Sequence, residues 1–366
     1  MATATDPPIA PGATGTERPR EATALLLCAR PRLDPAQAAH LHGLLAPPAT
    51  DWPWFLHHAA RNALTPLLAR HLDGIDAIPR DVAERLASDT RRLSARTLPL
   101  TAALRKALAA LDAASIPALP YKGPWLAERL YGDLGARPYR DADLIVRPDD
   151  RERALAVLKE NGFPLVIEDN ATPSAYNAKV QAIPGRPERL EIHWAIASPR
   201  QAVSLPVDWL FEGTAPTTAL GGATVLAPRQ SPSLEAEVLA LCIHGERHAW
   251  HRIIWVADIA ALLARGEIDG ARLLAMAEER GLRRMTALPM ALAERLLGAV
   301  PDNPALRSQA FHPWPKRQLD WIVAYIGRYW FHEHPHRGRW SSWRFHLGQR
   351  EGAGRRRWIL ANLRGA

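Results

Sequence analysis

The chain has 366 residues, enough for two domains of ordinary size, and its 47% apolar and 23% charged residues are those of a packed globular protein. This composition excludes a disordered, collagen-like or disulfide-stapled chain, and no stretch approaches the roughly 18–20 uninterrupted apolar residues of a membrane-spanning helix. The net charge of +8 is unevenly spread: eight arginines face one acid, Glu351, between Arg337 and Ala366, so a nearly neutral body carries a basic tail.

The two cysteines, Cys28 and Cys242, lie far apart with no C-x-x-C spacing. That excludes a zinc ribbon or redox pair and points to a reducing compartment, the cytoplasm. Residues 1–20, rich in Pro, Thr, Ala and Gly, predict a disordered N-terminus. Arg18 and Arg20 before the run Ala22–Ala29 imitate a lipoprotein signal ending at Cys28. Glu21 interrupts the basic stretch, however, and Leu27 stands where processing needs a small residue, so the segment reads as a first helix.

From 21 to 115 apolar residues recur at three- and four-residue spacing, broken at Pro31, Pro47-Pro48, Pro66 and Pro79, which predicts an N-terminal helical region. Val82–Ala114 reads as one or two long helices kinked near Pro99. At Ile116 the character changes. A short apolar run ends in Lys122-Gly123, Pro124 suits a first helical turn, and Trp125–Tyr131 continues as helix. A polar loop leads to the strand Asp141–Val146, a helix Arg151–Asn161 stopped by Gly162, the run Leu165–Asp169, a weak strand over Ala178–Ile183 and a strand Arg189–Trp194. Residues 116–227 therefore predict an α+β domain, and 228–335 a C-terminal helical region with helices at Ser233–Arg247, Ile253–Arg265, Glu278–Leu297 and Gln318–Trp330. Residues 336–366 form the basic aromatic tail, with a helix in its last dozen residues.

Asp141 and Asp143, two apart in a strand, point to one face. Two close like charges are costly unless a cation lies between them, and a hard divalent ion takes oxygen ligands of this kind. The bland reading is a solvated pair of acids at a loop edge. Glu191 and His193 share a face of a second strand whose other face, Leu190, Ile192 and Trp194, is apolar. If that strand lies beside the first, Glu191 becomes a third acid, and three carboxylates suit two metal ions. His193 reads as a hydrogen-bond orienter or a half-buried strand residue in preference to a ligand. Lys122-Gly123 at a strand-to-helix turn offers close backbone approach, a helix N-terminus and a point charge for phosphate, without being a Walker A loop.

Together these residues resemble the nucleotidyltransferase superfamily typified by DNA polymerase beta, and more closely its bacterial group of uncharacterised nucleotidyltransferases. The likeness rests on Ala59, Pro66, Leu67 and Leu68, then Ile116-Pro117, Lys122-Gly123, Leu130-Tyr131-Gly132, Arg137 and Asp141-Ala142-Asp143-Leu144. Leu158, Gly162-Phe163 and Glu191-Ile192-His193-Trp194 extend it, as do His244, His248, Trp250, Arg252, Trp255 and Asp258. The resemblance implies an α+β fold with a small mixed sheet flanked by helical regions, and NMP transfer from an NTP, ATP being expected, to an acceptor hydroxyl. It implies Mg²⁺ or Mn²⁺ on Asp141, Asp143 and Glu191, with Lys122, Gly123, Arg137, Arg140 and Arg252 toward the nucleotide. Two departures stand out: Pro124 follows Gly123 where the superfamily usually has Ser or Gly, and the third acid is Glu where Asp is commoner.

The alternative of a different class is a catalytically silent module of the same fold that binds nucleotide, nucleic acid or peptide. The intact acids argue against it and Pro124 for it. His244 and His248, with His251 nearby, invite a zinc reading, but this is not H-E-x-x-H and Gly245 weakens the helix. Packing on the catalytic domain, with Arg247 or Arg252 reaching phosphate or acceptor, is preferred. The tail interleaves Trp340, Trp343, Phe345 and Trp358 with arginine, which fits an anionic partner, nucleic acid or membrane surface, or a tail folded over its own domain. The acceptor stays open among a protein, a small molecule and an RNA.

Overall fold

The computed structural model describes residues 19–46, 50–75, 77–166, 176–201, 203, 205, 207–212, 214–216, 230–299, 303–307, 314–332 and 339–363. The N-terminus expected to be disordered lies almost wholly outside these residues, as does most of the run Leu165–Asp169.

Four helices open the chain: α1 (Pro19–Cys28), α2 (Pro35–Leu45), α3 (Trp52–Arg61) and α4 (Thr65–Leu72). Proline occupies the first turn of α2, α3 and α4, where a missing N–H costs nothing, and Asp34 and Asp51 cap α2 and α3 through their side chains. The long α5 (Arg80–Ala113) is one helix with Pro99 inside it. Beside that proline, Thr97 and Thr101 donate their hydroxyls to the carbonyls of Ser94 and Thr97.

The α+β part follows. Strand β1 (Ala118–Tyr121) turns into α6 (Gly123–Tyr131), then come β2 (Asp141–Val146), a 3-10 turn at Pro148–Asp150, α7 (Arg151–Glu160), β3 (Asn177–Gln181) and β4 (Arg189–His193). The sheet order is β1-β2-β4-β3, with β1 and β3 antiparallel to their neighbours and β2 parallel to β4, so the small sheet is mixed. One face of it carries Ala142, Leu144, Val146, Val180, Leu190 and Ile192. These pack in one buried cluster with Leu100, Leu104, Leu108 and Leu111 of α5 and Ala154 and Leu158 of α7. Strand alternation therefore turns Asp141, Asp143, Glu191 and His193 to the opposite face.

The rest is α8 (Asp208–Phe211), a two-residue ladder of β5 (Ala215–Pro216) and β6 (Gln230–Ser231), then α9 (Leu234–Arg247), α10 (Ile253–Leu263), α11 (Gly270–Glu279), α12 (Arg283–Leu297), α13 (Pro304–Arg307), α14 (Lys316–Phe331), α15 (Arg339–Gly348) and α16 (Gly352–Leu363). The helix expected over Glu278–Leu297 is in fact broken between α11 and α12. Gly281 there takes φ +64°, a left-handed turn that ends one helix before the next begins. Among the described residues the basic aromatic tail forms α15 and α16, with Phe345 and Trp358 buried.

The chain divides into two compact units: one of residues 92–240 and 357–366, which holds the sheet, and one of 1–91 and 241–356. In the all-helical unit every α10 residue except Trp255 is buried. A buried polar tie joins its sequence-distant parts: His58 Nδ1 lies 3.0 Å from the Trp330 carbonyl, Asn62 Nδ2 donates to that same oxygen, and Asn62 Oδ1 accepts from the Ile253 amide. Cys28 and Cys242 are free and buried, and burial pushes both thiols up. No helix among the described residues is long and apolar enough to cross a membrane.

Candidate active site

Parallel pairing of β2 with β4 sets Asp143 opposite Glu191, Asp141 opposite Arg189 and Ile145 opposite His193. This register brings two acids and an imidazole together: one ligand atom from each of Asp143, Glu191 and His193 lies within 4.8 Å of the others, the one such group among the described residues. Asp143 is 2% exposed, and its Oδ1 is 2.8 Å from His193 Nε2 and 2.9 Å from Lys122 Nζ. An ionised carboxylate has no proton to give, so His193 Nε2 carries the hydrogen and donates it. The same nitrogen is 3.5 Å from Glu191 Oε2, and Asn177 Nδ2 donates to Glu191 from β3 at 3.3 Å.

The electrostatics are those of an acid cluster short of positive charge. Burial, then the charge of Asp143, pushes the Asp141 carboxyl up to about 6 against the pull of Lys122. Burial acts the same way on Asp143, but the Lys122 ammonium and the His193 hydrogen bond outweigh it and hold that carboxyl below the usual range. Lys122 in turn is held above its ordinary value: desolvation opposes its charge, and Asp143 more than compensates.

Lys122 and Gly123 form the turn that delivers this cation. Lys122 takes φ +52° and ψ −152°, unusual for a side chain, and Gly123 follows at φ +47°. A Cβ on Gly123 would stand 2.9 Å from the Asp141 carbonyl oxygen and 3.3 Å from Ala142 Cα. Only glycine lets the start of α6 sit this close to β2. Behind the turn, Tyr121 donates its hydroxyl to the Ala240 carbonyl, and Glu237 of α9 accepts from Trp125 Nε1 at 2.7 Å and ion-pairs with Arg129. The first turns of α9 thus brace α6.

The structure brings Asp143, Glu191 and Lys122 together, sets Gly123 against the Asp141 backbone, and leaves the Asp141 carboxylate on the same strand face but outside the group of ligand atoms within 4.8 Å. Arg137 is buried in the loop before β2, and Arg140 is exposed beside Asp141. Arg252 stands just before α10 in the all-helical unit, its guanidinium 5.7 Å from the Trp255 ring centre. Sequence reasoning missed Asn177 and Lys179, which β3 places opposite His193 and Glu191. Their alternation was readable, but the pairing of β3 with β4 is a long-range fact. His244, His248 and His251 gather round the Trp255 ring, with centroids 4.8–5.3 Å away. Their ring nitrogens form no metal-holding group among the described residues.

Residues 48–298, about two thirds of the chain and including the whole acid cluster, match the family described as uncharacterised nucleotidyltransferase. The chain belongs to this family. No curated protein matches it. Among solved structures it is similar to ANT(2″)-Ia in complex with adenylyl-2″-tobramycin, at 20% identity over 40% of this chain and 76% of that one, TM-score 0.29. It is also similar to the solution structure of the antibiotic-resistance factor ANT(2″)-Ia, at 19% identity over 49% and 91%, TM-score 0.35.

Proposed function

We propose that the chain transfers an NMP group from an NTP, with ATP as the expected donor, to an acceptor hydroxyl, using Asp141, Asp143 and Glu191 to hold Mg²⁺ or Mn²⁺. The observation that carries this reading is the register of β2 against β4, which gathers the three acids on one sheet face. The donor set fits a divalent ion: carboxylate oxygens of Asp143 and Glu191 with the His193 imidazole, partly buried, and Asp141 on the same strand face. Such an ion would neutralise triphosphate charge and activate the attacking oxygen.

The chain's own residues supply the rest. The acceptor oxygen forms a bond to the α-phosphorus in line with the departing pyrophosphate, whose bridging P–O bond breaks, and the acceptor proton passes to a carboxylate or water. This displacement needs positioning and charge more than covalent chemistry. His193 fixes the Asp143 carboxylate through Nε2, and Asn177 steadies Glu191. Gly123 and the start of α6 offer a helix N-terminus to phosphate. Arg137 and Arg140, which precede β2 in the same unit, are the further cations assigned to the nucleotide. The second reading, a silent binding module, draws on Pro124, which removes an amide donor from the first turn of α6.

The test is pyrophosphate release from each NTP with Mg²⁺ or Mn²⁺, in the presence of host extract as a source of protein, RNA and small-molecule acceptors. Wild-type release that disappears in the Asp141→Ala/Asp143→Ala protein supports the enzyme. Metal-dependent nucleotide binding without release from any NTP leaves the silent module.

A further inference from the structure

Lys122 holds a position that a phosphate-binding lysine alone would not require. Its Nζ is 2.9 Å from Asp143 Oδ1, the oxygen that also accepts from His193, and its side chain is 13% exposed. Asp143 belongs to the group that gathers ligand atoms within 4.8 Å. An ion bound there at roughly 2.0–2.1 Å from a carboxylate oxygen and an ammonium on the same carboxylate are two cations side by side, and like charges that close oppose one another. Lys122 is also the residue from which α6 starts. When it leaves Asp143 its flexible stem is already at a helix N-terminus, where a triphosphate is favoured.

We propose that Lys122 is an exchangeable counter-ion: it neutralises Asp143 in the empty protein, is displaced when a divalent ion binds, and then rests on the triphosphate of the nucleotide. Metal and nucleotide binding are thereby coupled through one side chain, so the acids hold metal weakly until nucleotide gives Lys122 another partner. The inference rests on the function proposed above and adds a positioning and coupling role for Lys122. The strained backbone at Lys122 fits a residue kept for such a role.

The test reads Lys122 directly. The chain has five lysines, at positions 106, 122, 159, 179 and 316, so brief acetic anhydride labelling followed by peptide mass spectrometry resolves each, with Lys106, Lys159 and Lys316 as internal controls. In wild-type protein Lys122 should label slowly when empty, at least fivefold faster with Mg²⁺ alone, and slowly again with Mg²⁺ and a non-hydrolysable ATP analogue. In parallel, Mn²⁺ binding without nucleotide, read by electron paramagnetic resonance, should tighten about tenfold in Lys122→Gly and be lost in Asp143→Asn. Glycine suits the positive φ at this position. Labelling of Lys122 that Mg²⁺ does not change, while Mn²⁺ binds wild type and not Asp143→Asn, overturns the exchange and leaves the proposed function standing. Wild-type protein that binds no Mn²⁺ with or without the analogue overturns both.

Discussion

Gly123 and Asp141 carry the sharpest predictions for single residues. A methyl group on Gly123 meets backbone of β2, which cannot move aside, and φ +47° is itself strained for alanine. Gly123→Ala should therefore cost about 1–3 kcal/mol in a denaturant titration and weaken Mn²⁺ binding through displaced β2 carboxylates. Unchanged stability would mean that the turn is looser than described. Asp141 has its carboxyl raised from 3.8 to about 6. Between these values the folded protein keeps a proton that the unfolded chain releases, so this residue's contribution to stability falls as pH rises through that window. Asp141→Asn removes the penalty: its unfolding free energy in urea should match wild type near pH 4 and exceed it at pH 8, by about 1–2 kcal/mol after allowance for partial exposure, while metal binding is lost. The acids of β2 were legible in sequence because i and i+2 share a strand face whatever the tertiary fold. His193 as the Asp143 partner was readable only as an orienter without a named target, since that target depends on strand pairing.

At the scale of elements, α15 is fastened to α9 by a buried acid. Glu246 is fully buried, its Oε1 2.7 Å from His346 Nδ1 and 2.9 Å from Arg350 Nη1. Burial raises this carboxyl, but the His346 hydrogen bond and the Arg350 charge outweigh it and bring it to about 2. The stabilisation is present above the unfolded value near 4.5 and is lost as pH falls toward 2. Arg350→Met leaves the carboxylate short of a partner and should cost about 3–5 kcal/mol at pH 7, with a smaller loss at pH 3. Next to it Gln349 is fully buried, and its amide oxygen and nitrogen have no hydrogen-bond partner among the described residues. Gln349→Met should then stabilise the protein by about 1–2 kcal/mol. A destabilised variant would show that the amide has a partner in solution. The arginines of this tail were visible in the sequence as charge. That Arg350 is spent on a buried glutamate 104 positions earlier, and Arg344 on the Trp321 ring at 4.2 Å, was not, because both are packing facts.

For the whole molecule, local pattern predicted most elements, and the exceptions have physical causes. Lys122-Gly123 was read as a phosphate turn from its residue types. The structure adds that the glycine is required by contact with β2 and that the lysine faces an acid. The one long helix expected at Glu278–Leu297 failed at Gly281, where a left-handed residue matters more than apolar periodicity. The parallel partnership of β2 and β4 pairs residues 48 positions apart, a register that local pattern does not fix, and on it the reading of the site depends. Its central claim is that the acids of β2 and β4 carry out nucleotidyl transfer, and the direct measurement compares α-³²P- with γ-³²P-labelled ATP in wild-type and Asp143→Asn protein, with Mg²⁺ and host extract. The account predicts that the α label becomes attached to an acceptor, the γ label leaves as pyrophosphate, and both events vanish in a folded Asp143→Asn protein. Attachment of the γ label, or α-label transfer that survives the substitution, would contradict it.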